Sequence, residues 1–475
     1  MQTVSYFEAW HGARQRVRQA EHALCGYRTD QQLQWSIGSS ADGTVHEPAI
    51  PYSLAALGAQ AWLVGDERGR VWLLGDAGAG AEGAVPRGLA LLLETGAGVA
   101  DIAAQGGRVL LGDMRGRVAC VDLQRADGPH VQPVAGHQHL GPIKHVRWQP
   151  GQASVFASGS QDGACLFSDL RCARPLVGAL PSAHAHVHAS LRATLTGLAF
   201  HPTAPHRFWT TGTPDASAKL WDLRLLPTYA RATAMKRRDA MARCLQCVEA
   251  FALPAPEGRR ARSATALAID AAGSRIFVAA SGAWYAVPGG AFIYGHVRVC
   301  SVYEFLTVRA AGPVAAYASP HYTCGSFFSN VTVCPEDRFL LTGSADGNAY
   351  AWDTRDSGTC FCVPVRAPLE VSKTAWAGPR IACISDDLTV SLFRRAPGDG
   401  GRHVARVPGS RVALADEGAG AHVGAAAPTC APEAPGPLPC TPPRKRAAPG
   451  SLLASPLGTP PNRTILDFFA RTPRP

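Results

Sequence analysis

No stretch of the sequence approaches the run of about 20 consecutive apolar residues that a bilayer-spanning helix needs. The first twenty residues carry Glu8, Arg14, Arg16 and Arg18 where a secretory leader would be apolar. The 14 cysteines are scattered through strand-like stretches and loops, a usage that suits a reducing compartment. These absences make a soluble protein of the cytosol or nucleus the expectation, with no membrane partner. The chain also lacks a phosphate-cradling glycine loop, a nucleophile elbow and a pair of carboxylates spaced for acid/base work. Cys244 and Cys247 have ligand spacing, but no second Cys/His pair follows at zinc-site distance. His184, His186 and His188 read as a polar loop rather than a ligand set. Neither a catalytic function nor a cofactor or metal is therefore expected.

Aromatic residues are missing between Phe393 and Phe468, where the composition turns to Pro, Ala, Gly and Arg. Such a segment buries too little apolar surface to offset chain entropy, so residues 396–475 are expected to form a disordered tail. Elsewhere the chain has a globular composition, 46% hydrophobic over 475 residues. Its formal charge of +10 gathers in local runs such as Lys236-Arg237-Arg238 and Arg444-Lys445-Arg446.

A weak unit recurs along the folded part. Its clear copies run from Gly136 to Arg171, through "LTGLAFHP" and "LWDLR" to Arg224, and through "SNVTVCPEDRFLLTGSADGNAYAWDTR" to Arg355. Each reads as three short strands. Alternating Val, Phe, Leu and Trp suit strands packed between neighbouring sheets. Asp162-Gly163 and Asp346-Gly347 supply the tight turns. The terminal Trp-Asp matches the WD-repeat signature, and weaker copies bring the count to about seven. The expected fold is thus all-β, a seven-bladed WD-repeat β-propeller over residues 49–395. Residues 1–48 are read as a partly helical N-terminal extension, and 172–191 and 225–262 as inserts in the ring.

Two features point to partners. Strands end in Asp-x-Arg at Asp169 and Arg171, at Asp222 and Arg224, and at Asp353 and Arg355; the arginine offers a bidentate handle to carboxylates or carbonyls. In the tail, Ile465, Phe468 and Phe469 stand at i, i+3 and i+4, so a single helical turn gathers them into an apolar plug. The stretch 462–469 resembles the PIP box, by which proteins dock into the sliding clamp PCNA. Asn462 stands where that motif has Gln.

Taken together, the strings "FASGSQDG", "FSDLRC", "DASAKLWDLR" and "AWDTR" resemble the denticleless-type substrate receptors of the cullin-4 ubiquitin ligase, over roughly Tyr27 to Arg395. The resemblance implies that Asp169, Arg171, Trp221, Asp222 and Arg224 contact the damage-binding adaptor that links such receptors to cullin-4. Ser168 stands where the family motif has Trp. It further implies a nuclear receptor that marks PCNA-bound replication, repair and cell-cycle proteins for degradation, reaching DNA only through PCNA. Thr441, Ser455, Thr459 and Thr472 are proline-directed phosphorylation candidates, and Arg444, Lys445 and Arg446 read as a nuclear-import patch. A histone-chaperone or chromatin-assembly scaffold that also binds PCNA is the rival reading.

Overall fold

A computed structural model describes residues 27–36, 45–58, 61–75, 88–125, 128–184, 193–213, 215–230, 247–254, 263–281, 300–307, 312–324, 329–355, 359–378, 380–395, 405–407 and 410–413. Among them, the strands form seven antiparallel sheets arranged as the blades of a propeller. After β1 (Tyr27–Ser36), blade 1 holds β2 (Pro51–Leu57), β3 (Ala61–Asp66), β4 (Arg70–Gly75) and β5 (Gly88–Glu94). Blade 2 holds β6 (Val99–Gln105), β7 (Arg108–Asp113), β8 (Arg117–Asp122) and β9 (His130–Gln138). Blade 3 follows with β10 (Ile143–Trp148), β11 (Val155–Ser160), β12 (Cys165–Asp169) and β13 (Leu176–Leu180). Blade 4 comprises β14 (Thr194–Phe200), β15 (Arg207–Thr213), β16 (Ser217–Asp222) and, after the 3₁₀ turn η1 (Leu223–Leu225), β17 (Glu249–Ala252). In blade 5 lie β18 (Ser263–Ile269), β19 (Arg275–Ser281), β20 (Ser301–Leu306) and β21 (Ala315–Ala318). Blade 6 is built from β22 (Val331–Val333), β23 (Phe339–Gly343), β24 (Ala349–Asp353) and β25 (Cys360–Val363). Finally, β26 (Val371–Ala377), β27 (Arg380–Ser385) and β28 (Thr389–Arg395) make blade 7, whose outermost strand is β1.

The seven-bladed ring expected from the repeats is present, with three differences of detail. Each blade has four strands, and the outer ones fall where inserts were expected: β13 within 172–191 and β17 within 225–262. The ring also begins before residue 49, because β1 pairs antiparallel with β28 from Tyr27 opposite Arg395 to Ser36 opposite Thr389. Beyond residue 395, β29 (Ala405–Val407) and β30 (Ser410–Ala413) add fifth strands to blades 6 and 5. β17 shows one reason: with the pattern of a strand that has one face in water, EAFA buries only Phe251 fully and lacks the apolar run that marks an inner strand. The expected N-terminal helix, around Ser5 to Leu24, lies outside the described residues.

The core is distributed between blades. Phe167 and Leu195 meet Phe208 and Trp221 between blades 3 and 4. Trp209, Phe251 and Phe305 stack in series between blades 4 and 5, with centroids 5.2 Å apart at each step. Trp62 and Trp72 pack on Ile384 and Leu392, sealing blade 1 against blade 7. Small residues permit this closeness: a Cβ on Gly343 would overlap the Val371 carbonyl of the next blade. Gly347, at φ +81° in the Asp346-Gly347 turn, has the left-handed backbone that glycine adopts without strain.

Near the ring centre the innermost strands carry a buried charged group. Asp101 of β6 accepts from the Val146 amide (2.9 Å) and Arg147 Nη1 (2.6 Å) of β10, and lies 3.7 Å from Lys373 Nζ of β26. Burial alone raises a carboxyl's pKa, but these cations outweigh it and hold Asp101 far below the usual range. Among the described residues no helix is long and apolar enough to cross a membrane.

Candidate functional site

The Asp-x-Arg endings of β12 and β16 occupy equivalent positions in neighbouring blades, so they share one face of the ring. Asp169 is fully buried and accepts from the Arg171 amide (3.0 Å), Nε (2.9 Å) and Nη2 (2.8 Å). Asp222 caps η1 in the same way, accepting from the Arg224 amide and Nε, both at 2.9 Å. In each pair the carboxylate grips one edge of the guanidinium, and Nη1 takes no part in the grip. Burial would raise the Asp222 pKa; the Arg224 hydrogen bonds and charge prevail and keep it ionised below the usual carboxylate range. Surface pairs of this kind add little to stability. Their effect is to hold a cation still, with side-chain exposures of 33% for Arg171 and 52% for Arg224, so that a partner pays less ordering entropy on contact.

The third copy behaves differently. Arg338, just ahead of β23, donates to Asp353 at 3.1 Å and occupies its carboxylate. Arg355 keeps its amide bond to Asp353 (2.8 Å) but sends Nη2 toward the Glu336 carbonyl at 3.4 Å. Two of the three repeated endings are therefore presented alike, and they are the two singled out from sequence.

Next to Arg224 in the chain the structure adds Leu225, 64% exposed at the end of η1, and across from β16 it adds Val248, 49% exposed, whose amide donates to the Leu220 carbonyl (2.8 Å). Sequence reasoning placed both in an insert and passed over them. The signal was the apolar doublet Leu225-Leu226, of which Leu226 is buried and Leu225 is not.

Beneath this face, Trp221 is an anchor rather than a contact. Its indole donates to Thr210 Oγ1 (2.8 Å), Thr210 meets His184 Nε2 (3.0 Å), and His184 Nδ1 meets Asp215 (2.9 Å). Trp221 is 2% exposed, so the docking role expected for its side chain gives way to a structural one. His184 is buried in that row and is not the polar-loop residue its neighbours suggested. His186 and His188 lie outside the described residues.

In blade 3, where Ser168 replaces the tryptophan, the ring of His137 fills the space. His137 Nδ1 lies 2.7 Å from Ser168 Oγ and Nε2 lies 2.6 Å from Ser158 Oγ, with Phe156 at a 5.2 Å centroid distance. One assignment of protons satisfies the row: Ser168 O–H donates to His137 Nδ1, His137 Nε2–H to Ser158, Ser158 O–H to His139 Nε2, and His139 Nδ1–H to Asp162. Burial and the neighbouring His139 push His137 well below the ordinary imidazole range, which keeps it neutral as this row requires. The Ser168 departure is thus compensated, and Asp169 and Arg171 keep their places above it.

The tail features, namely Asn462, Ile465, Phe468 and Phe469, Thr441, Ser455, Thr459 and Thr472, and Arg444, Lys445 and Arg446, lie outside the described residues. Among the described residues no group of three or more His, Cys, Asp or Glu side chains is placed to hold a metal ion.

The family model for the WD domain, G-beta repeat, matches residues 319–353. The chain is similar to the denticleless protein homolog of Gallus gallus, 26% identical over 286 residues, and to that of Danio rerio, 25% over 288 residues. It is also similar to the protein lethal(2)denticleless of Drosophila melanogaster, 22% identical over 288 residues. Each match covers 54% of this chain, against 35%, 38% and 33% of the respective relative. The chain thus spans about a third of the length of the curated relatives it matches.

Proposed function

Because the chain is a WD-repeat propeller of the denticleless type, we propose that it is the substrate-recognition subunit of a cullin-4 ubiquitin ligase, acting in the nucleus on PCNA-bound proteins. The observation that carries this reading is the pair of fixed guanidinium groups, Arg171 and Arg224, at equivalent strand ends of adjacent blades. Two rigid cations flanked by exposed Leu225 and Val248 make an amphipathic contact of the kind that anchors protein interfaces. On this reading the adaptor docks on that face and the opposite face holds a substrate. The tail then tethers the receptor to PCNA through Asn462, Ile465, Phe468 and Phe469, raising the local substrate concentration. The chain contributes proximity, and ubiquitin transfer belongs to other subunits.

Affinity purification with mass spectrometry tests the assignment. Wild type is expected to bring down the cullin-4 adaptor and PCNA. Arg171→Ala/Arg224→Ala should lose the adaptor alone, and Phe468→Ala/Phe469→Ala should lose PCNA alone. Recovery of histones with no ligase subunit would replace this reading with the chromatin-assembly one.

A further inference from the structure

Blade 2 departs from regular pairing next to Arg171. Arg117 of β8 faces Gln138 of β9 while Ala119 faces Pro133, so a step of two along β8 is matched by a step of five along β9. The surplus chain bulges toward blade 3, with Gly136 at φ +72°, and this delivers His137 to the space left by Ser168. The same bulge opens a groove of about 460 Å³ between the outer strand of blade 2 and the turn after β12. That volume lies in the range of ligand clefts, about 300–1,000 Å³.

The groove is basic. Arg108, Arg125 and Arg171 line it with the carboxylate of Asp122, Arg171 being paired from beneath with Asp169, and His130 and Pro133 stand along the β9 wall. Arg108 Nη1 reaches across to the Ala153 carbonyl of blade 3 at 3.4 Å, so its guanidinium lies at the blade boundary. Arg171 is at once a wall of the groove and half of the docking pair.

We propose that this groove receives an acidic, extended segment of the protein bound at the Arg171 and Arg224 face. The inference rests on the reading of that face as a docking surface and extends it from two cations to a channel of three. Charge complementarity selects carboxylates: planar guanidinium groups match them in bidentate pairs. Asp122 within the lining repels a continuous run of phosphates while accepting a peptide N–H, which favours a peptide over a nucleic-acid strand.

The test uses the full-length chain and a short fluorescein-labelled peptide of alternating Glu and Ser, read by fluorescence anisotropy. Binding is expected to fall with added salt and to weaken about tenfold or more in Arg108→Gln/Arg125→Gln, a loss of at least about 1.4 kcal/mol. Arg355→Gln, a change of charge outside the groove, should bind like wild type, and a peptide with Gln in place of Glu should bind weakly everywhere. Unchanged melting of the double variant separates loss of the groove from loss of the fold. Equal binding by the double variant, equal binding of the Gln peptide, no binding of the Glu peptide, or tighter binding of oligodeoxythymidine in the groove each overturns the proposal. Purified adaptor distinguishes the two readings. If adaptor fails to bind wild type while the Glu peptide binds in the groove-dependent way, the ligase reading falls and the acidic-segment site stands.

Discussion

At the scale of single residues, the most consequential groups are buried and ionisable. His145 sits within 4 Å of Asp101, its Nε2 donating to the Thr196 carbonyl (2.9 Å) and its Nδ1 accepting from Arg147 (2.9 Å). Burial, with Arg147 and Lys373 beside it and Asp101 opposing, lowers its pKa to about 4. The sign follows from comparison with the unfolded chain, where an imidazole titrates near 6.5. Above that pH both states are neutral and nothing is lost. As pH falls from 6.5 toward 4 the unfolded state takes up a proton that the folded state refuses, so stability declines by roughly 1.4 kcal/mol per pH unit, to a total of about 3 kcal/mol. Urea unfolding at pH 7.5 and pH 5 should therefore show a lower midpoint in acid. His145→Gln, which keeps a donor for Thr196 and an acceptor for Arg147, should reduce that pH dependence. His137, His184 and His201, also held below the ordinary range by burial, add to the slope in the same direction. An identical slope in the variant would remove His145 from the argument.

Site residues were legible to differing degrees for reasons that operate at this same scale. Asp169, Arg171, Asp222 and Arg224 were readable because both members of each pair lie two positions apart on one strand end. Arg355 looked equivalent, yet Arg338, 15 positions upstream of Asp353 and local only through the β23–β24 pairing, takes the Asp353 carboxylate. The substitution of His137 for a tryptophan was illegible, since the ring comes from the preceding blade through a bulge that no local pattern announces.

At the scale of elements, the inner strands and their Asp-Gly turns carried the fold in the sequence, whereas β1, β13, β17, β29 and β30 did not. A strand such as β9, whose residues alternate irregularly between buried and exposed, has no period of two to find. Yet β1 matters most of these, because it alone among them hydrogen-bonds the start of the described chain into the last blade. Deleting residues 1–36 leaves the outer edge of β28 unpaired. The expected result is a melting temperature lower by at least about 5 °C, with self-association through the open edge visible by size-exclusion chromatography. Truncation after residue 395 removes β29 and β30 from edges that are already outermost, so it should cost less. Equal losses from the two truncations would contradict the ring-closing role of β1.

At the scale of the whole molecule, the proposed division of labour is a rigid ring and a tether. Deleting residues 414–475 should leave the melting temperature and adaptor capture unchanged while abolishing PCNA capture in a pull-down. Loss of adaptor along with PCNA would show that the two functions are not separable in this way.

The path of β29 and β30 also decides how the ring bears mechanical load. Chain leaving blade 7 runs back along the rims of blades 6 and 5, and Ala413 lies opposite Ala315 at the far end of that course. A pull on the carboxyl end is met first by the four-residue pairing of β30 and then by the three-residue pairing of β29. On the proposed tether to PCNA, tension on the tail would be met by these two strands before it reached β28, where β1 completes the last blade.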